Sequence, residues 1–343
     1  MKFSTIKNST MQMLAILLLT FVPTRASSAQ QSAASSAKSD ASQAVPATPS
    51  ELGQRIEDLN SLSLEGSDLK PEKPIFGEKD ELPDFTRELI RVHWRDADPI
   101  DLYLIRPHGI EKPPVVLYLY SYPSEGEQFK DDGYCRRVTR GGFAAVGFVS
   151  ALTGPRYHGR PMKQWFVSEL RESLVESVHD VQMVLNYLST RGDLNMDRVG
   201  MMGAGSGATI AILSAAVDSR IKALDLLDPW ADWPDWMAYS ERVPDVERTN
   251  YLKPEFLKQI APFDPIEWLP RLASLPVRLE FLMDDAITPD RCKKRLESVA
   301  PHGSVQIVKY DNTRALLDAS SGGKHFQWIK DQLVPATERA ESK

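Results

Sequence analysis

Cysteine is scarce in this sequence, since Cys135 and Cys292 are the two cysteines among 343 residues. Two thiols so far apart do not form the disulfide framework of a small secreted domain. We therefore expect two separate structural thiols, each within a helical segment. The sequence also lacks a C-x-x-C pair and a closely spaced pair of histidines, which are common signatures of a zinc site. No metal ion is expected.

Long apolar runs and basic clusters are missing as well. The apolar run near the N-terminus, MQMLAILLLTFV at residues 11–22, has 12 residues, whereas a membrane-spanning helix needs about 20. The formal net charge is −6, and it becomes −9 when the three basic residues of segment 1–29 are removed. No tail or face is rich in lysine and arginine, so nucleic acid is not an expected partner.

The first 50 residues have the composition of targeting and linker segments. Segment 1–29 places lysines before the apolar run and small residues, Ser27 and Ala29, after it, which is typical of a secretory signal peptide. We expect cleavage after Ala29 and export to the periplasm or the cell exterior; the alternative is an N-terminal membrane anchor. Residues 30–50 are rich in Ala, Ser and Gln and predict a disordered linker. The folded domain is assigned to residues 51–343.

From Phe85 onward, strand-like and helix-like segments alternate. Strands are predicted at 86–94, 100–107, 114–122, 143–151 and 198–203, and from Ile221, Val277 and Ser304. Helices are predicted at 127–139, 168–188, 207–217 and 325–333. This alternation predicts an α/β fold, in which a mainly parallel central sheet carries helices on both faces. The first two strands, joined by a short turn, predict an antiparallel edge.

An irregular segment at about 230–276 separates two of the predicted strands. It is rich in proline and contains Trp230, Trp233, Trp236 and Trp268. We predict a small helical cap here, inserted after the sixth predicted strand. The tryptophans either line a ligand pocket or pack together to hold the cap, and packing is the simpler interpretation.

The segment 199–210, VGMMGAGSGATI, predicts a strand, a tight turn of small residues and a helix. Many hydrolases place their catalytic serine in such a turn, within the motif G-x-S-x-G. Two alignments of the motif are possible. One centres on Ser206 with alanines as the small flanking residues. The other keeps the glycines Gly203 and Gly207 as flanks and puts Gly205 where the serine belongs.

Two further candidate residues follow later strands of the predicted sheet. Asp285 follows the strand that starts at Val277, in the sequence MDDAITP, and His325 follows the last strand, after SSGGKH. Because parallel strands build their sites at their carboxyl ends, we expect these side chains to approach Ser206. Each residue also has a structural interpretation: Ser206 and Asp285 suit helix N-termini, and His325 can cover a sheet edge.

The arrangement resembles the α/β-hydrolase family, in its esterase and serine-peptidase branch, over residues 86–333. The resemblance rests on the motifs MMGAGSGA, DDAITP and GKHF and on the chain order serine, acid, histidine. It implies Ser206 as nucleophile, His325 as general base and Asp285 as the acid that orients the imidazole. It also implies an oxyanion hole formed by backbone N–H groups, for which the candidates are Ser121, Tyr122 and Gly207.

Two departures from the family pattern keep two functions open. The usual spacing from the arginine that opens the strand, Arg198, ends on Gly205, and YLYSYP stands where many relatives have His-Gly. One hypothesis is hydrolysis of an ester or peptide-like acyl substrate. The other is a catalytically inactive binding protein for a small molecule or peptide, with Gly205 at the nucleophile position. The sequence lacks a dinucleotide-binding motif, and GAGSGA lacks the lysine of a P-loop, so no cofactor is expected.

Overall fold

The computed structural model describes residues 57–95, 98–121, 126–152 and 169–334. Within these ranges, nine strands form one sheet in the order β1-β2-β3-β5-β4-β6-β7-β8-β9. The strands are β1 Ile75–Glu81, β2 Phe85–Val92, β3 Ile100–Pro107, β4 Pro114–Leu119, β5 Ala144–Phe148, β6 Asn195–Ala204, β7 Ile221–Leu227, β8 Val277–Leu282 and β9 Val305–Tyr310. The predicted signal peptide (1–29), the predicted linker (30–50) and Tyr122 lie outside the described residues.

The two sides of the sheet differ in strand direction. β1, β2, β3 and β5 pair antiparallel in that order, and the pairs from β5 through β4 to β9 are parallel. The predicted mainly parallel sheet with an antiparallel edge is thereby confirmed. The edge has one strand more than predicted, because β1 (IFGEKDE) is exposed on both faces and lacks the apolar alternation by which strands are recognised.

Helices cover both faces of the parallel strands. They are α1 Asp132–Val138, α2 Leu170–Leu188, α3 Ser206–Val217, α4 Trp233–Tyr239, α5 Asp245–Tyr251, α6 Pro254–Ile260, α7 Pro265–Trp268, α8 Asp290–Val299, α9 Thr313–Ser320 and α10 Gln327–Leu333. Gly203 of β6 faces Ala208 of α3, whereas Gly200 faces Ile329 of α10. Since side chains alternate along a strand, α3 and α10 lie on opposite faces, and β4 and β5 are buried throughout.

The segment predicted as a cap lies between β7 and β8 and contains α4 to α7. It follows the seventh strand and not the sixth, because β1 adds a strand at the start. Trp230, Trp233 and Trp236 are buried there, with ring centroids 4.9 Å apart for the first and third and 5.8 Å for the second and third. These three tryptophans pack on one another, as the packing interpretation expects.

Both cysteines are free and buried. Cys135 lies in α1 and Cys292 in α8, so the expectation of two separate thiols in helices is confirmed. The Cys135 thiol donates to the carbonyl oxygen of Phe129 at 3.1 Å, and burial raises its pKa to about 11. A thiol with so high a pKa is largely protonated near neutral pH and reacts slowly.

The chain from β9 to α10 is more regular than the sequence predicts. The segment expected to be a loop before His325 contains α9 and a 3₁₀ helix, Ser321–Phe326. The side chain of Asn312 caps α9 by accepting the N–H of Ala315 at 3.0 Å, a role that asparagine fills well. His325 therefore lies on a short helical turn that leads directly into α10.

Candidate functional site at the junction of β6 and α3

The turn between β6 and α3 has glycine at its apex. Gly205 has φ 53° and ψ −119°, and Ser206 is the first residue of α3, with 1% of its surface exposed. A positive φ is rarely adopted by residues with a side chain, and glycine adopts it without steric cost. Ser206 thus lies one position beyond the apex of the predicted elbow.

The flanking glycines allow the close packing of this turn. A Cβ atom on Gly203 would lie 2.7 Å from backbone atoms of Ala208, and one on Gly207 would lie 2.2 Å from the carbonyl oxygen of Leu119. Both distances are too short for any side chain, because the neighbouring atoms belong to the backbone. The frame Gly203-x-Gly205-x-Gly207 is therefore the one that the packing requires.

The space beside Gly205 is filled by side chains from two other segments. A Cβ atom on Gly205 would lie 2.3 Å from the hydroxyl oxygen of Ser121 and 3.0 Å from Nε1 of Trp230. Ser121 follows β4, and Trp230 lies three residues after the end of β7. The predicted oxyanion candidate Ser121 thus lies at the apex of the turn, with its hydroxyl close to where a nucleophile side chain would start.

Hydrogen bonds tie the apex to the end of β7. The N–H of Gly205 donates to the carbonyl oxygen of Leu227 at 2.9 Å. The hydroxyl of Thr209, one turn into α3, donates to the carbonyl oxygen of Trp230 at 2.6 Å and approaches that of Gly205 at 3.3 Å. These bonds fix the turn against the sheet and place the Trp230 indole beside it.

Asp285 lies in the turn after β8, where its carboxylate bonds locally. Its two oxygens accept the N–H groups of Ile287 at 3.3 Å and Thr288 at 3.0 Å. Burial raises the pKa of this carboxyl, although the two N–H groups and the nearby Lys293 act against the shift. Asp285 therefore shapes the turn that leads to α8, the structural role considered from its sequence context.

A second carboxyl, Asp228, lies close to Asp285 at the end of β7. It is buried, has a φ of 45° and accepts the N–H of Leu282 at 3.2 Å. Burial, and then the charge of Asp285, hold its pKa well above the usual range. Lys293 is 2% exposed and donates from Nζ to the carbonyl oxygens of Leu282 and Asp285, at 2.5 and 3.0 Å. This cation stabilises a site with two neighbouring carboxyls.

His325 lies on the 3₁₀ helix before α10, next to a different carboxyl. Burial lowers the pKa of its imidazole, the negative charge of Glu280 acts against this shift, and the positive charge of Arg278 adds to it. Arg278 also donates to the carbonyl oxygen of His325 at 3.1 Å. The pairing of His325 with Asp285 stays a prediction, and Glu280 is the carboxyl that acts on this imidazole.

Glu280 belongs to a buried polar cluster that the sequence analysis did not predict. Arg278 binds both carboxylate oxygens of Asp225, at 2.8 and 2.6 Å, and lies 3.2 Å from Glu280. Tyr310 donates its hydroxyl to Glu280. Burial, followed by the charge of Asp225, raises the pKa of Glu280 to about 7. The sequence contains one signal of this cluster. Arg278 and Glu280 are charged residues at alternate positions of VRLEFL, a strand that has neighbours on both sides.

The predicted site residues thus fall into three groups. Ser121, Gly203, Gly205, Ser206 and Gly207 surround one turn. Asp285 shares its surroundings with Asp228 and Lys293, and His325 shares its own with Glu280 and Arg278. Across residues 57–95, 98–121, 126–152 and 169–334, no group of three or more His, Cys, Asp or Glu side chains is arranged to hold a metal ion. The catalytic roles of Ser206, Asp285 and His325 stay predictions.

Comparisons with known proteins identify the fold. No family model matches the sequence, and no curated protein matches it. Similar solved structures include an acetyl xylan esterase from Paenibacillus sp. R4, which is 16% identical with a TM-score of 0.58, over 74% of this chain and 85% of that one. An acetyl xylan esterase from Thermoanaerobacterium sp. JW/SL YS485 is 14% identical with a TM-score of 0.54, over 71% and 82%.

A peptidase has a similar fold as well. The acylaminoacyl peptidase of Pyrococcus horikoshii is 15% identical with a TM-score of 0.54, over 71% of this chain and 40% of that one. Esterases and a peptidase thus have a fold similar to that of this chain, and the resemblance noted in the sequence is confirmed at the level of the fold. The chain has the α/β-hydrolase fold found in these esterases and this peptidase.

Proposed function

We propose that this protein is a binding protein with the α/β-hydrolase fold that does not act as a serine hydrolase. The observation that carries the proposal is the conformation of Gly205, which has φ 53° and ψ −119° between β6 and α3. In hydrolases of this fold the nucleophile occupies the sharp, strained turn between strand and helix. Here that position has no side chain, and the Ser121 hydroxyl fills the adjacent space.

Ser206 is a poor replacement for a nucleophile at the apex. Consecutive residues of an α-helix are rotated by about 100° about its axis, so a hydroxyl one position further on leaves the helix in another direction. Ser206 is also 1% exposed, which leaves little room for a substrate carbonyl. In active hydrolases the residue after the nucleophile contributes its backbone N–H to the oxyanion hole, and this is the position that Ser206 holds.

The second candidate function is acyl hydrolysis through Ser206, His325 and Asp285. One observation favours it: burial lowers the pKa of His325, so that its imidazole is neutral near pH 7, as a general base must be. The oxyanion donors would be backbone N–H groups of Ser121, Tyr122 and Gly207. The similar structures are esterases and a peptidase, so the substrate would be an ester or a peptide-like acyl compound.

Labelling with a fluorophosphonate probe distinguishes the two functions. We expect no labelling of the wild-type protein and no hydrolysis of p-nitrophenyl acetate above that of the Ser206→Ala variant. Ser121→Ala serves as a second variant, because the Ser121 hydroxyl lies next to the apex. Labelling of the wild type that disappears in Ser206→Ala would establish the hydrolase and overturn the proposal. Labelling that disappears only in Ser121→Ala would overturn it too and would assign the reaction to that hydroxyl.

We also propose that the protein is exported and binds a small molecule or peptide, not nucleic acid. The support for export is the pattern of residues 1–29, with lysines, a short apolar run and small residues before position 30. Among the residues that the structure describes, no helix is long and apolar enough to cross a membrane. Expression in the native host followed by mass spectrometry of the N-terminus tests this proposal. A mature chain that starts at Gln30 is expected, and a retained Met1 on a membrane-bound protein would contradict it.

A further inference from the structure

A cavity of about 390 Å³ lies among the helices that follow β7 and beside α8. Its apolar wall includes Trp233, Leu257 and Ile266. Its charged side chains are Asp232, Lys258, Asp264, Glu267 and Arg295. A volume of this size is at the lower end of the range for small-molecule sites. The residues around the apex of the β6–α3 turn do not line this cavity, so it is a separate feature of the fold.

One buried carboxylate gives this cavity a fixed wall. Asp264 is 7% exposed and accepts three backbone N–H groups, from Asp232 at 2.9 Å, Trp233 at 2.8 Å and Ile266 at 3.1 Å. These bonds join the start of α4 to the start of α7. Burial raises the pKa of Asp264 and these three hydrogen bonds act against the shift, while they hold the backbone around the cavity in place.

The carboxylate of Asp232 differs from that of Asp264 in its surroundings. It is partly buried, and among the described residues no hydrogen bond or ion pair reaches its side chain, which does not cap α4. Burial and the negative charges of Asp235 and Asp264 raise its pKa, and Arg295 acts in the opposite direction. A partly buried carboxylate beside two others favours a cationic partner. The cavity therefore presents an anionic group to whatever enters it.

Two cations stand at the exposed part of the same cavity. Lys258 and Arg295 line it and are solvent-exposed, together with Glu267. A purely cationic ligand would meet repulsion from both, and a purely anionic ligand would meet repulsion from Asp232 and Glu267. A ligand with both charges satisfies each side, with its ammonium group toward Asp232 and its carboxylate toward the two cations.

We propose that this cavity binds a small zwitterion of the amino-acid class, with an apolar side chain against Leu257 and Ile266. The apolar part of the lining favours an aliphatic or aromatic side chain. The site does not depend on the chemistry of the β6–α3 turn, so it stands whether or not Ser206 reacts.

Isothermal titration calorimetry with three ligands of similar shape tests the proposal. L-leucine carries both charges, 3-methylbutylamine lacks the carboxylate, and 4-methylpentanoate lacks the amine. We expect leucine to bind most tightly and 4-methylpentanoate most weakly. Asp232→Asn should weaken leucine binding roughly tenfold or more, because a hydrogen bond between charged groups becomes one to a neutral amide. Asparagine tolerates the left-handed conformation of this residue (φ 58°), so the variant should fold.

Asp235→Asn is the matched control, since Asp235 is the same residue type as Asp232 and lies three positions later in the sequence but does not line the cavity. Its leucine affinity should be within threefold of the wild type, and thermal melts should show both variants folded. The proposal is overturned by the absence of leucine binding up to the solubility limit. It is equally overturned if 3-methylbutylamine or 4-methylpentanoate binds as tightly as leucine, or if Asp232→Asn and Asp235→Asn weaken leucine binding to the same extent.

Discussion

A single methyl group at Gly205 should destabilise this protein measurably. In Gly205→Ala, the backbone must keep a φ of 53° with a side chain present, at a cost of about 1–3 kcal/mol. The new Cβ would lie 2.3 Å from the Ser121 hydroxyl oxygen, and moving that side chain off its rotamer costs about 1 kcal/mol. The free energy of unfolding should therefore fall by about 2–4 kcal/mol, measured by urea denaturation with tryptophan fluorescence.

Two other glycines separate the contributions to this loss. Gly192 has open space around its Cβ position and no positive φ, so Gly192→Ala should change stability by less than about 0.5 kcal/mol. Gly109 also has open space but a φ of 79°, so Gly109→Ala should show the backbone penalty alone, about 1 kcal/mol. We expect a larger loss in Gly205→Ala than in Gly109→Ala, because the apex adds the contact with Ser121 to the backbone penalty.

The identity of the side chain that fills the apex can be tested by a double variant. In a Ser121→Gly background, the nearest obstacle to an alanine at Gly205 is removed, so the cost of Gly205→Ala should fall by about 1 kcal/mol. A Gly205→Ala variant as stable as Gly192→Ala would refute the reasoning, because the turn would then lack both the positive φ and the close approach of Ser121.

Two further predictions concern buried charges. Lys293→Met should lower the free energy of unfolding by about 3 kcal/mol or more, because it leaves Asp228 and Asp285 without their buried cation; exposed Lys294→Met is the control, and equal losses in urea denaturation would contradict the argument. Because folding raises the pKa of Glu280 from 4.5 to about 7, the folded state binds this proton more tightly, and the contribution of Glu280 to the free energy of unfolding should be full below pH 4.5 and fall by about 3 kcal/mol as the pH rises to 7. Thermal melts of Glu280→Gln across this pH range should show a smaller fall, and an unchanged fall would exclude Glu280 as its cause.

The parts of the fold that sequence predicted are those in which burial and periodicity agree. β4 and β5 are continuous apolar segments because helices cover both faces of the sheet, and α2 was placed from the spacing of its leucines and valines. β1 was missed because an edge strand exposed on both faces carries no apolar pattern. The α9 helix was missed because it is short, and its capping residue, Asn312, equally suits a turn.

The apex of the turn was left between two residues because the sequence does not fix the length of β6. Either Gly205 or Ser206 could have followed the last residue of that strand, and both alignments have small flanking residues. Packing decides between the two alignments. A Cβ atom on Gly207 would lie 2.2 Å from the Leu119 carbonyl oxygen, so position 207 must be glycine, as the alignment centred on Gly205 requires. The residue at the apex of this turn therefore depends on a contact between β4 and α3, two elements that are far apart in the sequence.

The carboxyl beside His325 shows the same dependence on long-range contacts. Asp285 was predicted from its place after β8, a position that hydrolases of this fold use for their acid. Glu280 lies inside β8, a parallel strand with neighbours on both sides, where apolar residues are expected. It is buried, with Arg278 3.2 Å away and the Tyr310 hydroxyl donating a hydrogen bond to it. Burial lowers the pKa of the His325 imidazole and the negative charge of Glu280 raises it, whereas Asp285 is not among the groups that shift it. We therefore expect Glu280→Gln to lower the pKa of His325 in an NMR titration and Asp285→Asn to leave it unchanged.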